Sequence, residues 1–199
     1  MKNNIGLILF NLSRFKGAHQ YLGEARRLSV SFKDKARTAQ YDESAAQVLI
    51  AEGRLKEAEA TARKAVSARE KSGHCCMMAE ALITQGIALA RSHRKERAQL
   101  IFQRAIEVAC QVNALSTAGL AALTLIEEID PLSPATLHAA YRQAREWLAN
   151  AQGQETRIRL GDAAGKLAAR MCGHTPERIE DGAKMVAGRF DTKPDEAIP

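Results

Sequence analysis

Aromatic residues are scarce in this chain: Phe, Tyr and Trp make up 5% of its 199 residues. Sheet proteins lean on aromatic and β-branched side chains and on frequent turn residues. With 5 prolines and 13 glycines, the punctuation is too sparse for an all-β chain. No apolar run approaches the roughly 18 residues that cross a bilayer. The opening MKNNIGLILFNLSRF carries one lysine and a short apolar run, lacks a signal-peptide cleavage pattern and flows into a helical pattern, so it reads as structure. The four cysteines are Cys75, Cys76, Cys110 and Cys172; two of them are adjacent, which makes no ordinary staple, and a reducing cytoplasm is the expectation. There is no Gly-rich phosphate loop, since Gly165-Lys166 lacks both the second glycine and the Ser or Thr after Lys.

What remains is a chain that is 46% apolar and dominated by Ala and Leu. That is enough to bury a core, and it favours helix over strand. The formal charge of +6 is spread along the chain and mixed with Glu. Such a balance does not argue for nucleic acid, and no membrane association is expected.

The informative feature is self-similarity. Gly6, Ala46 and Gly86 recur at intervals of forty residues, as do Ala18, Ala58 and Ala98; Leu22, Ala62 and Phe102; and Ala25, Ala65 and Ala105. The polar stretches NLSRFKGA, AEGRLKEA and RSHRKERA fall in one phase of that interval. Each separates two apolar-periodic segments, so each repeat is expected to be a helix, a turn near Arg14, Arg54 or Arg94, and an antiparallel helix. Gly86 and Ala98 are expected at a close crossing of the paired helices, with Phe102 filling the space between repeats.

A fourth, degenerate copy follows. STAGLAALTLIEEI is its first helix, DPLSP interrupts, and Ser133 caps a helix whose first residue is Pro134. Leu137, Tyr141 and Ala144 take the later columns, and Trp147 is expected against the next helix. A closing helix carries Ile158, Leu160, Leu167 and Met171 as its apolar points. The expected fold is all-α: a right-handed α-solenoid of antiparallel helix pairs, period about 40 residues, over 1–172. Its repeats are about 2–38, 39–77, 78–116 and 117–150, with an end helix at 153–172. Residues 173–199 are expected to be a weakly structured or disordered tail.

The columns resemble the tetratricopeptide repeat, whose pattern orders a small residue, a large apolar one, Ala, an aromatic or Leu, and Ala. Here these are Gly86, Leu89, Ala98, Phe102 and Ala105 in the best copy; Gly6, Leu9, Ala18, Leu22 and Ala25 in the first; Ala46, Leu49, Ala58, Ala62 and Ala65 in the second. The usual period is about 34, so the helices are longer here. The family's Trp is replaced by Asp42 and Leu82, and its closing proline is missing. Residues 42–127 are similar to the repeat segment of larger bacterial regulators that often end in a helix-turn-helix. The first helix starts at about Lys2, without an opening turn, so the chain is expected to be a fragment of such a protein.

The resemblance implies a concave groove lined by the first helix of each pair. Carried over by column, its residues are Asn3, Leu7, Phe10 and Asn11; Gln40, Glu43, Gln47, Ile50 and Ala51; Glu80, Ile83, Ile87, Ala90 and Arg91; and Ala122, Ile126 and Ile129. This face is apolar for a solvated groove. A partner peptide or helix is the expected occupant; a second copy of the chain or a missing domain is one alternative, and a phase slip of one residue that makes these residues core is the other. The function implied is protein–protein interaction, with a sensor or oligomerisation part of a transcriptional regulator as the other reading.

Chemistry has little support. His74-Cys-Cys-Met-Met78 sets soft ligands side by side, but adjacent ligands rarely converge on one ion and no C-x-x-C pair accompanies them, so no metal is expected. Nor is a cofactor. His19, His93 and His138 have no in-phase acidic or nucleophilic partner, and Glu127, Glu128 and Asp130 read as a solvated helix end. No catalytic constellation emerges, so an enzyme is not expected. LAARMCGHTPERIEDG places Ala169 and Gly173 like a helix-turn-helix, but the acidic EDG spoils the second helix as a DNA reader.

Overall fold

In a computed structural model, residues 2–149 and 153–172 are described. They form helices and no strand: α1 (Lys2–Asn11), α2 (Phe15–Ser31), α3 (Lys35–Ala51), α4 (Leu55–Ser72), α5 (Cys75–Arg91), α6 (Lys95–Gln111), α7 (Leu115–Glu128), α8 (Pro134–Trp147) and α9 (Gln154–Cys172). Each packs against the next in sequence. The expected tail, with its helix-turn-helix resemblance, lies outside the described residues.

The forty-residue repeat is built from twenty-residue units. Ser13, Lys33, Gly53, Gly73, His93 and Asn113 all have positive φ, each between the end of one helix and the start of the next. At every one of these turns the same two bonds close the helix. The N–H of the left-handed residue reaches back three residues, as Gly53 N to Ile50 O at 3.0 Å. The next N–H reaches back five, as Arg54 N to Leu49 O at 2.9 Å. This is the Schellman arrangement, which satisfies the last carbonyls of a helix. The residue making the longer bond then opens the following helix, as when Arg54 O accepts from Ala58 N at 3.0 Å. Glycine occupies the left-handed position in only two turns. The helix pairs therefore begin at Lys35, Cys75 and Leu115, a few residues before the expected boundaries at 39, 78 and 117.

Within a pair, a missing side chain on one helix meets a large one on the other. A Cβ on Gly86 would lie 2.6 Å from the Phe102 ring, and one on Gly6 would lie 2.8 Å from Leu22. In the middle pair the same two columns hold Ala46 and Ala62, both fully buried. Phe102 thus fills the space Gly86 leaves inside its own pair, and it also belongs to the buried cluster shared with α7 of the next pair. In the fourth pair Gly119 takes over this role, against Leu148 at 2.6 Å.

Across pairs, α1, α3, α5, α7 and α9 touch in succession, whereas α2, α4, α6 and α8 do not touch one another. The first set converges and the second diverges, so the stack curves with the odd helices on its inner side. At the far end α9 lays Leu160, Ala163 and Leu167 on a cluster containing Leu123 and Ile126 of α7. Ala164 and Ala168 complete that buried stripe, while Ile158 and Met171 stand exposed, contrary to expectation. The stripe follows i, i+3, i+4, i+7, i+8 spacing, which small alanines conceal in the sequence. Trp147 packs back on the cluster holding Ala65, Leu82 and Ala118. Ser133 does cap α8, accepting from Thr136 N at 3.1 Å.

The crossing gives the first prediction. Gly86→Ala should destabilise by about 1–2 kcal/mol, because overpacking outweighs the gain in helix preference. Adding Phe102→Leu to that variant should restore part of the loss. Gly23→Ala, in α2 with nothing within 4 Å of its Cβ, should gain up to about 1 kcal/mol. Urea midpoints measure all three, and a stabilised Gly86→Ala would disprove the close crossing.

Candidate partner-binding groove

On the inner side, α1, α3, α5, α7 and α9 enclose a cavity of about 530 Å³. Its walls include Phe10 from α1, Glu43, Gln47, Ile50 and Ala51 from α3, and Glu80, Ile83, Ile87 and Arg91 from α5. These side chains recur at three- and four-residue steps, so they share one face of each helix. Ile83 and Ile87 are half-buried, their inner sides packed on the core clusters and their outer sides on the cavity.

Other expected groove residues stand elsewhere. Asn3 is buried, and its Oδ1 makes no protein hydrogen bond. Asn11 is exposed and Leu7 half-buried, and neither lines the cavity. Ile126 is a core residue, 1% exposed, as are Ala122, Ile129 and Ala90. The reason for Ile126 is one of register. It follows Gly86 by forty residues and therefore points at α8 and α9 instead of the groove. From α7 the cavity takes Thr117 and Leu120, and from α9 Arg159. Leu120 follows Glu80 by forty residues, so an unbroken forty-residue count would have found it.

Ion pairs frame the cavity. Arg91 donates to both carboxylate oxygens of Glu128, with Nη2 to Oε1 at 2.6 Å. Arg159 holds Glu127 at 2.7 Å and reaches the Thr124 hydroxyl at 3.2 Å. Arg170 holds Asp130 at 2.8 Å, and Lys95 Nζ donates to the Asp130 carbonyl. The three carboxylates expected to form a solvated end therefore tie α7 and its following loop to α5 and α9.

Glu43 is the unusual member. Arg69, on α4 and 2% exposed, donates Nη2 to Glu43 Oε2 at 2.7 Å, while its Nε and Nη1 make no hydrogen bond among the described residues. Burial pushes the Glu43 carboxyl up to about 7; Arg69 pulls it back, and the nearby charge of Glu80 pushes it up again. Burial wins because one ion pair does not replace the water both groups gave up. Glu80 is exposed and makes no side-chain ion pair among the described residues. The floor of the groove is thus apolar, with two carboxylates side by side and one cation behind them.

Elsewhere the soft residues divide between packing and the surface. Met78 is buried and Cys75 rests on a core cluster, while Cys76 and Cys110 are exposed. Among the described residues no three His, Cys, Asp or Glu side chains gather as a metal site. His19 does have an acidic partner: its Nε2 lies 2.8 Å from Glu52, whose carboxyl it holds below the usual range. No described helix is long and apolar enough to cross a membrane.

No family model and no curated protein matches the chain. Among solved structures it is similar to BtubC (BKLC) from P. vanneervenii, with a TM-score of 0.68 over 98% of this chain and 82% of that one. At 15% identity the likeness is one of fold. The class established is an all-α, solenoid-like stack of helix pairs.

The Glu43 carboxyl generates a pH prediction. Its pKa is about 4.5 unfolded and about 7 folded, so the folded chain binds this proton more tightly. Stability attached to Glu43 is present below about pH 4.5 and is lost as pH rises through about 7, on the order of 3 kcal/mol in all. Glu43→Gln should remove that slope. Urea unfolding of both proteins between about pH 5 and pH 8 measures it, and parallel curves would contradict the assignment.

Proposed function

We propose that the chain is a tetratricopeptide-type interaction module, acting in the cytoplasm, that holds an apolar, basic-tagged segment of another protein in its inner groove. One observation carries this reading: Ile83 and Ile87 present half-covered apolar surface next to the carboxylates of Glu43 and Glu80. Covering each isoleucine would contribute roughly 1–3 kcal/mol. A lysine or arginine of the partner, seated by Glu80, would neutralise the like-charge crowding at Glu43 and set the register of the bound segment. A partner helix with apolar residues at i and i+4 and a cation one turn away meets these requirements. The antiparallel pairs and the small-residue columns are further support for the family.

The test combines capture with stability. Ile83→Ser with Ile87→Ser should abolish capture of the partner while the helical fold survives, because the two side chains are only partly covered in the free protein. Glu80→Lys, an exposed substitution, should weaken capture by at least about tenfold with an unchanged melt. Pull-down with mass spectrometry identifies the partner, and binding of its synthetic segment is then measured for each variant. Capture that persists in both variants, with unchanged melts, places the binding surface elsewhere.

A further inference from the structure

A second cavity, of about 690 Å³, opens on a different face of α3, between α2 and α4. These two helices belong to the diverging set and do not touch each other, so α3 is exposed at the bottom of the cleft. Its apolar lining comes from Val30, Ala39 and Ala68, with hydroxyls from Thr38, Ser67 and Ser72. Four lysines surround it: Lys33 from the α2–α3 turn, Lys35 at the start of α3, and Lys64 and Lys71 from α4. Lys64 and Lys71 are seven residues apart, two helical turns along one face and about 10 Å from each other along the axis.

None of the four lysine side chains forms an ion pair or hydrogen bond within the described residues. The cations of the inner groove, by contrast, are consumed by Glu127 and Glu128. The one carboxylate of this cavity, Asp42, is already paired with Arg26. The site therefore carries four uncompensated positive charges around an apolar floor.

We propose that this cavity binds a phosphate-bearing ligand with an apolar body. The volume matches that of small-molecule sites, about 300–1,000 Å³. Lysine acts as a flexible point charge that suits phosphate, whereas planar carboxylate recognition favours arginine. No aromatic side chain lines the cavity, so it offers no platform for stacked bases, and a nucleic-acid strand fits it poorly. Phe32, next to Lys33 in the chain, is 80% exposed, and Val30 is 51% exposed. Exposed apolar side chains beside lysines suit an amphiphile whose phosphate sits on the cations.

Two sources can supply this chemistry, a free phosphorylated compound and a lipid headgroup, and the experiment separates them. The full chain is titrated at low salt with inorganic pyrophosphate, and separately with phosphatidylcholine vesicles with and without phosphatidic acid. Saturable binding of pyrophosphate assigns the site to free phosphate; binding only to vesicles containing phosphatidic acid assigns it to a headgroup. In either case Lys64→Ala with Lys71→Ala should weaken binding by at least about tenfold, with no change in thermal midpoint. Lys56→Ala, an exposed lysine on the same helix outside the cavity, should leave binding unchanged. The proposal is overturned if neither probe binds saturably, or if Lys56→Ala weakens binding as much as the cavity pair does.

Discussion

The stack depends on how closely two antiparallel helices approach within each pair. Where Gly86 meets Phe102 and Gly6 meets Leu22, the glycine lets a large side chain lie directly on the neighbouring backbone. The pair becomes thin at that level, and its faces are left free to meet the pairs on either side. Such a contact forms only if both helices run the same distance from a common turn. The six turns, each with one left-handed residue and the same pair of closing bonds, meet that condition for α1 to α7. A residue inserted into a helix would rotate every later side chain by about 100° and, ahead of Phe102, would put Ile101 where Phe102 now stands.

Curvature follows from that regularity. Because each pair is thin at its crossing, the odd helices pack in an unbroken row while the even helices splay apart. The row makes a groove whose walls repeat every forty residues, and the splay opens clefts such as the one between α2 and α4. The pattern ends at α7. The Ile129–Ser133 connection is longer than the six turns before it, so the fourth crossing moves to Gly119 and Leu148, and α9 is free to close the end. Ion pairs of Arg159 and Arg170 with Glu127 and Asp130 then fasten α9 to the end of the array.

The pairing of helices was legible in the sequence because it rests on residue size in fixed columns, and Gly, Ala, Leu and Phe differ plainly in size. The groove walls on α3 and α5 were legible for the same reason: Glu43, Gln47, Ile83 and Ile87 keep one register against those columns. The register of α7 was taken from a family pattern instead of from the chain's own interval, which moved the groove onto Ile126. The turns near Arg14 and Arg94 were placed from their polarity, but the left-handed conformation at Ser13, Lys33 and His93 was hidden because these residues carry no sign of it. The Glu127–Arg159 and Glu128–Arg91 pairs join residues more than thirty positions apart, and local sequence holds no information about such partners. The lysine cavity was invisible for a related reason. Its four cations are spread from Lys33 to Lys71 and converge only because α2 and α4 diverge around α3.

The two cavities meet in two consecutive residues of α3. Asp42 lines the outer cavity and pairs with Arg26 of α2; Glu43 lines the inner groove and pairs with Arg69 of α4. Adjacent positions on a helix point about 100° apart, so one turn of α3 serves both faces. Each carboxylate is paired with an arginine from a different even helix, and together they clamp α3 between α2 and α4. The electrostatic outcome differs sharply on the two sides. Toward α2 the arginine neutralises the only acid among four lysines, leaving that cavity positive. Toward α5 the buried Arg69 offsets Glu43 while Glu80 remains uncompensated, leaving the groove negative. A chain whose net charge is modest thus divides it into two opposite sites across the width of one helix. The helix that separates them is fixed by two acids whose arginine partners leave the four lysines and Glu80 to set those signs.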